Sequence, residues 1–539
     1  MKRKYFLALA SLTLCGSLSA QDIYKVEALS GSDLNGTARY VGMGGAMNAL
    51  GADLSTIGTN PAGIGMYRRS DVAFTGSATV QPNGEEFGDI NRARGSFDQA
   101  GFVYSCKMDD KLRFVNVAFN YQKRRNFKNY IGLNNIATKD GMSQSWQMMD
   151  LAYYGDKWLD LSPGSDDCNK TTPLTIVGYD AQLIAPQYDA DGKLTGYTPS
   201  FANKYAYQRA QWGGIQQYDF NISFNWKDQI YAGLTFGAYN VNLHSRTNYA
   251  EELVDSKNNT GEYYMSQAES LSGAGFDVKL GIIVRPLEDS PFRFGVSIAT
   301  PIFFDLTQSS YLYMNSPYAF TDDKGNKFEH TEADVEIGDF DYRIRTPWKV
   351  NLSMATTVGN YLALDAEYEI SDYKGTQVRY PDFDDYYDYS ISSSKDNAMA
   401  EEIDACMKPL HTFRIGAEAR LAKGVYGRLG YNYVSAPMED NAFLNLFTNS
   451  PSYAYSTNTD YVNLGAINRV TAGLGVRGKH FYADMAYQYQ QQQGTAFAFH
   501  VAEADGITNR LKGEKVDLNR HNVMFTIGYN CLLYTSPSP

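Results

Sequence analysis

The sequence predicts an all-β chain: a 14-stranded antiparallel transmembrane β-barrel with an N-terminal hatch (plug) segment and long extracellular loops. Three observations carry this. From about residue 70 onward apolar and polar residues alternate with period two, the mark of strands with two unlike faces. The turns between alternating runs come in two lengths, short and long by turns, as in outer-membrane barrels. The chain also opens on an export signal. A mean hydropathy of -0.40 excludes a bundle of membrane helices. It does not exclude a barrel, whose strands carry no long apolar run.

Residues 1–20 read as the signal: Met1-Lys2-Arg3-Lys4, an apolar run from Tyr5 to Leu14, then small residues up to Ala20. Leu14 stands where a lipobox would hold a small residue, which argues against a lipid on Cys15. The cysteines at 15, 106, 168, 406 and 531 have no paired spacing, so neither a disulfide framework nor a zinc site is expected. A net charge of -12 argues against nucleic acid as a partner.

Residues 21–69 do not alternate. They are rich in Gly, Ala and Asn, and read as a compact hatch. Gly42, Gly44 and Gly45 have a spacing like that of phosphate-cradling loops, but no strand precedes them and no Gly-Lys-Ser/Thr follows. Fourteen strands enclose a lumen wider than wall side chains fill, so a plug is expected inside.

The barrel is expected over 70–530. Its strands are placed near 70–80, 98–108, 111–123, 216–227, 230–242, 273–286, 292–304, 342–358, 361–372, 410–422, 425–435, 467–478, 481–491 and 517–530. Tyr218, Phe220, Ile222, Phe224 and Trp226 alternate with Asp219, Asn221, Ser223 and Asn225. Phe276, Val278, Leu280, Ile282 and Val284 form a similar face, broken only by Ile283. Short turns at 109–110, 227–229, 288–291, 359–360, 423–424 and 478–480 join strands in pairs and put both barrel ends on the periplasmic side. The first strand has the weakest outer face, with Val72 and Phe74.

The 42 Tyr and 28 Phe fall into two groups. Tyr361, Phe481, Tyr482, Tyr487 and Tyr489 are expected in the aromatic girdles. Tyr380, Phe383, Tyr386, Tyr387 and Tyr389 belong to an acidic loop, where a packed loop cap outweighs ligand contact. The largest loop, 124–215, is expected to be an extracellular insert with a short amphipathic helix within Met142–Tyr154. Residues 531–539 break the final alternation and resemble translated adapter sequence, so they are set aside as a non-native tail.

The hatch contains Gly51-Ala52-Asp53-Leu54-Ser55-Thr56 and then Asn60-Pro61-Ala62-Gly63, directly before the first strand. With the export signal and strand count, this resembles the FadL/TodX/OmpP1 family of outer-membrane transporters of hydrophobic compounds. The resemblance implies a hatch with an Asn-Pro-Ala motif, here Asn60, Pro61 and Ala62, and a fourteen-strand barrel in the bacterial outer membrane. It implies passive uptake of hydrophobic small molecules such as long-chain fatty acids, with lateral escape through a gap between strands. The expected partners are a fatty-acid-like molecule and outer-membrane lipid, around a monomer, with no cofactor and no enzymatic activity.

The lumen side mixes charges. Lys279, Arg285, Arg414 and Arg420 stand against Asp365, Glu367 and Glu418, with Arg428, Arg469, Arg477, Asp277, Glu369 and Asp484 on the same face. A paired network holding the hatch is the leading expectation. A carboxylate path for fatty acids is the sharper alternative, since Arg forks match carboxylates. Two further readings stand beside uptake: a scaffold barrel for protein export or surface partners, with the large loop as docking surface, and a haem or hydrophobic-ligand receptor using His330 or His500. Asp189-Ala190-Asp191-Gly192 hints at calcium but lacks the other loop ligands.

Overall fold

In the computed structural model the chain closes on itself as a barrel. The structure describes residues 23–82, 93–255, 260–287, 289–321, 324–382, 392–444, 455, 457, 459–503 and 508–531. The expected signal, the tail beyond 531, Glu288 and the aromatics Phe383, Tyr386, Tyr387 and Tyr389 lie outside the described residues.

Fourteen strands form the wall. They are β1 Ser70–Val80, β2 Ala93–Lys107, β3 Leu112–Asn126 with Asn129–Ala137, β4 Phe201–Trp226, β5 Ile230–Val254, β6 Thr260–Val284 and β7 Arg293–Ala299 with Phe303–Ser316. Next come β8 Thr331–Arg345 with Lys349–Val358, β9 Leu362–Asp372 with Gln377–Pro381, β10 Pro409–Ala422 and β11 Val425–Val434. β12 Tyr461–Arg477, β13 Phe481–Phe497 and β14 Glu514–Asp517 with Arg520–Cys531 complete the wall. β14 pairs antiparallel with β1 from Ser70↔Cys531 to Val80↔His521, which closes the sheet. β1 is a full partner on both sides despite its sparse outer face.

Prolines explain two breaks. Pro301 interrupts β7 and Pro347 interrupts β8, because neither can donate to the ladder. Threonine hydroxyls stand in: Val278 N donates to Thr300 Oγ1 at 3.0 Å and Ile302 N to Thr346 Oγ1 at 2.8 Å.

The short turns lie where expected, but several strands are far longer than foreseen. β4, β5 and β6 have 26, 25 and 25 residues, against the ~9–11 that cross a membrane. The reason is an inversion of faces. Along β5, Ile230, Leu234 and Phe236 are exposed outward, while Gly233, Thr235 and Gly237 face the lumen. Above Tyr239 the inward residues are Tyr239, Val241 and Leu243, all buried, and the outward ones are Asn240, Asn242 and His244. The wall therefore leaves the membrane near Tyr239 and continues as a barrel with an apolar inside.

The insert between β3 and β4 is correspondingly shorter than 124–215, because β3 runs to Ala137 and β4 begins at Phe201. It carries α3 Ser145–Leu151, α4 Pro173–Asp180 and a hairpin of Ile184–Tyr188 with Leu194–Pro199. Its Met148, Leu151, Leu174, Val177 and Leu183 join Tyr205, Tyr249, Tyr263, Met265 and Leu312 of the upper strands, and Phe499 just beyond β13, in one buried cluster. Insert and upper wall thus share a core, which caps the barrel. Asp189 Oδ1 accepts from Asp191 N and Lys193 N in the hairpin turn, so it orders the turn. His500 is 1% exposed in this cap, beside Phe443 and Tyr461, which makes it a core residue. His330 is exposed. Among the described residues no group of three His, Cys, Asp or Glu could hold a metal ion.

Inside the wall the N-terminal segment runs through the lumen: α1 Ile23–Ser30, α2 Ala38–Gly42 and two 3₁₀ turns, Leu54–Gly58 and Pro61–Met66. Tyr67 leads into β1 at the periplasmic end.

Candidate functional site: the plugged lumen

The Asn60-Pro61-Ala62 motif is the start of a turn pressed on the wall. Asn60 Oδ1 accepts from Ala62 N at 3.2 Å and Nδ2 donates to Asn48 O at 3.2 Å. Pro61 takes the first position of the turn, where its missing N–H costs nothing. Ala62 packs against Tyr231 and Ile283. The break in alternation at Ile283 is therefore a contact with the plug. The wall makes room with glycine: a Cβ at Gly281 would stand 2.0 Å from Asn60 Oδ1. At the other side of the lumen a Cβ at Gly430 would stand 2.1 Å from Gly44 N.

Wall carboxylates hold the plug backbone. Glu367 Oε1 accepts from Met47 N and Asn48 N, both at 2.7 Å, and Oε2 from Asn48 Nδ2 at 2.9 Å. Asp365 Oδ2 accepts from Ala49 N at 3.2 Å and Leu50 N at 2.9 Å. Arg414 donates to Glu367 at 3.3 Å and Glu369 at 3.0 Å. Glu418 pairs with Arg39 of the plug at 2.9 Å and with Arg428 at 2.6 Å. Arg428 continues to Asp484 at 2.6 Å, which Arg477 meets at 3.3 Å. Buried Lys279 bridges Asp219 at 3.0 Å and Asp277 at 2.8 Å.

Lys279, Arg414, Asp365, Glu367 and Glu418 therefore line the plug or its supporting pairs, whereas two of the sequence-selected charges stand apart. Arg285 lies in the turn after β6, where its Nε donates to Ser290 O at 2.9 Å. Arg420 is exposed at the periplasmic end of β10, beside a register shift between Arg420 and Ala422. Tyr482 also departs from expectation. It faces inward at 7% exposure, its hydroxyl donating to Asp71 at 3.0 Å, while Tyr361 and Phe481 are 60% and 67% exposed as girdle residues. Sequence reasoning missed Arg39 and Asn48, whose wall partners are more than 300 positions away, and Asn35, whose partners are 63 and 88 positions away.

Among the described residues the wall parts next to the plug. β2 and β3 pair only from Lys107↔Phe114 up to Gln99↔Gln122. Above that, residues 93–97 pair with β1 alone and Lys123–Asn126 with β4 alone. Asn35 fills this place, its Nδ2 donating to Asp98 Oδ1 of β2 at 3.3 Å and to Lys123 O of β3 at 2.9 Å. Asp33 N donates to Arg124 O at 2.9 Å, and Asp33 Oδ2 accepts from Asn126 N at 2.8 Å. Lys123 reaches Ser96 across the same gap.

Behind Asp33 lies a cavity of about 180 Å³ lined by α1, Arg125, Arg209, Arg469 and Arg520. Arg125 is paired with Glu27 at 3.0 Å and Arg209 with Asp460. Arg469, 2% exposed, donates to Gln490 Oε1 and Asn432 Oδ1, both at 2.9 Å. Arg520 donates to the backbone carbonyls of Asn126 and Lys128.

A closed sheet with apolar residues outward and a charged, plugged interior pairs its backbone groups within the wall, as lipid requires, and Asp33 and Asn35 of the plug take up groups where β2 and β3 part. The protein is a bacterial outer-membrane β-barrel. Its architecture, fourteen strands around an N-terminal plug, is the one the Asn-Pro-Ala resemblance implied. The sequence matches no family model, and no curated protein matches it. Among solved structures it is similar to a Pseudomonas aeruginosa FadL homologue, at 11% identity over 96% of this chain and 100% of that one, with a TM-score of 0.48. It is similar to the Ralstonia pickettii toluene transporter TbuX at 13% identity, 92% and 98% coverage and a TM-score of 0.42. The CymD monoaromatic hydrocarbon channel gives 8%, 92%, 97% and 0.44. Likeness at this level carries no functional argument.

Proposed function

We propose that this barrel is a passive channel for hydrophobic small molecules of the fatty-acid type, and that the N-terminal segment gates it. The carrying observation is that one segment closes two routes. Residues 38–66 fill the lumen against Asp365, Glu367 and Glu418, and Asp33 and Asn35 bridge the place where β2 and β3 part. A shift of residues 33–35 opens the wall sideways from the cavity toward the lipid, so an apolar molecule leaves without crossing a polar periplasmic mouth. Arg469 and Arg520 give the cavity two guanidinium groups whose partners are neutral, which suits a molecule with a carboxylate head. The channel acts as a monomer and is no enzyme.

The test is uptake of labelled fatty acid by proteoliposomes carrying the full chain. Asn35→Ala and Pro61→Gly are expected to raise the initial rate several-fold by loosening the latch and the turn. Equal rates in wild type and both variants would sink the gating role.

A further inference from the structure

Arg420, left out of the lumen network, belongs to a different feature of the wall. The lipid-facing surface of β10–β13 is not an even cylinder. It holds an apolar groove of about 460 Å³ lined by eleven residues, among them Ala417, Ala419, Leu429, Ala472, Leu474 and Met485. The groove starts at Leu421, beside the β10–β11 turn, and reaches Tyr487, six positions above the start of β13. At ~3.3 Å per residue along tilted strands it spans roughly 15 Å of depth. It therefore occupies the periplasmic half of a hydrocarbon core ~30 Å thick.

The rim beneath it is basic. The segments 420–426 (Arg-Leu-Ala-Lys-Gly-Val-Tyr) and 475–483 (Gly-Val-Arg-Gly-Lys-His-Phe-Tyr-Ala) contain no acid. Arg420, Lys423 and Lys479 are exposed there, and none makes a side-chain hydrogen bond or ion pair with a described residue. Phe481, at the girdle, marks this as headgroup level. The opposite rim differs: exposed Lys107, Lys111 and Lys227 stand there among Asp109, Asp110 and Asp228, and Asp228 also holds Arg68 and Arg113. A basic rim without acids thus coincides with the groove.

We infer that this face of the barrel is a binding site for an anionic glycerophospholipid of the periplasmic leaflet. One acyl chain lies in the groove, and the phosphate sits on Lys423 and Lys479, with Arg420 within the same basic rim. Apolar fill below a polar head is what the groove and rim together select, and basic clusters at membrane level recognise anionic heads. A second copy of the chain fits less well, since eleven residues fall short of the ~20–30 a side in stable interfaces. The inference is independent of what the lumen conducts.

The experiment is native mass spectrometry of the full-length barrel, released from detergent after incubation with dioleoyl phosphatidylglycerol or dioleoyl phosphatidylcholine. Wild type is expected to retain one phosphatidylglycerol with about tenfold or greater preference. Lys423→Gln/Lys479→Gln is expected to abolish the preference, while Lys227→Gln on the opposite rim leaves it intact. Ala417→Leu/Ala472→Leu, which fills the groove on the lipid side, is expected to lower retention of both lipids. Equal retention of the two lipids by wild type overturns the inference, as does a preference that survives loss of the two lysines or retention unchanged by the filled groove. Heat-modifiable gel mobility checks that each variant is folded.

Discussion

Strand β5 reads in opposite senses on the two sides of Tyr239. Below it, the outside is apolar and the inside is polar or glycine, because the outside meets lipid and the inside grips a plug. Above it, Val241 and Leu243 turn inward and Asn240 and Asn242 outward, because the outside now meets water. β4 and β6 invert at the same level, with Ile215 and Leu271 buried inside. One continuous ladder therefore serves two solvents, and the two halves are stabilised differently. The lower half relies on directed hydrogen bonds and ion pairs to the plug, the upper half on apolar packing with the N-terminal helix and the insert.

The sharpest way to break the lower half is Glu367→Ala. It leaves two backbone N–H groups and Asn48 Nδ2 without their shared acceptor, and Arg414 with Glu369 alone. Removing one partner of a buried charge pair costs about 3–5 kcal/mol. The wall should stay closed, since its ladder is untouched, while the plug loosens. Planar-bilayer recordings should show larger or more frequent openings than wild type, and unchanged conductance would refute the role of Glu367 as an anchor.

Leu271→Ala tests the upper half. Leu271 is fully buried among Ile23, Val26 and Leu29 of α1 and Val241, Leu243 and Leu306 of the wall. A Leu→Ala change in such a site costs about 2–5 kcal/mol. Limited proteolysis should clip the cap and α1 sooner, with the membrane-level strands still protected. Faster cleavage in both halves alike would mean that they are not separable.

A smaller effect is expected from Gly281→Ala. The new methyl meets Asn60 Oδ1 and Pro61 Cδ, so the turn must withdraw from β6. Overpacking of this kind costs about 1–3 kcal/mol. A cysteine at position 62 should become more reactive to a soluble maleimide in this background; unaltered labelling would show that the turn has slack.

The same inversion marks the limit of what could be read from sequence. The polar turns and the membrane-level alternation were legible, since both reflect local chemistry. The lipid-face alternation ends near 242 and resumes near 273, because the apolar residues change faces between those points. The Asn-Pro-Ala motif located the plug. Its partners were not legible, because Arg39–Glu418 and Asn48–Glu367 join positions more than 300 apart. Arg285 and Arg420 share the lumen parity of their strands, yet they stand at strand ends, where a turn or a register shift redirects the side chain.

The least effect, and the one confined to the cap, concerns Asp150 at the end of α3. Burial lifts its carboxyl to about 6, against the pull of the Ala502 N–H and the charge of Arg510. The folded pKa lies above the unfolded one, so the folded cap binds more protons between these values. Its stability is therefore greatest below the unfolded value near 4, declines as pH rises toward 6, and is flat above about 7. Partial exposure reduces the effect to about 1–2 kcal/mol at most. Amide exchange over residues 142–154, corrected for intrinsic rates, should be slower at pH 4.5 than at pH 7.5. Asp150→Asn keeps the shape and removes the charge, so this pH dependence should vanish in that variant while exchange in β10–β13 stays as in wild type. A pH dependence that persists in Asp150→Asn would assign it to another carboxyl of the cap, and one that spreads to β10–β13 would mean that cap and membrane barrel open together.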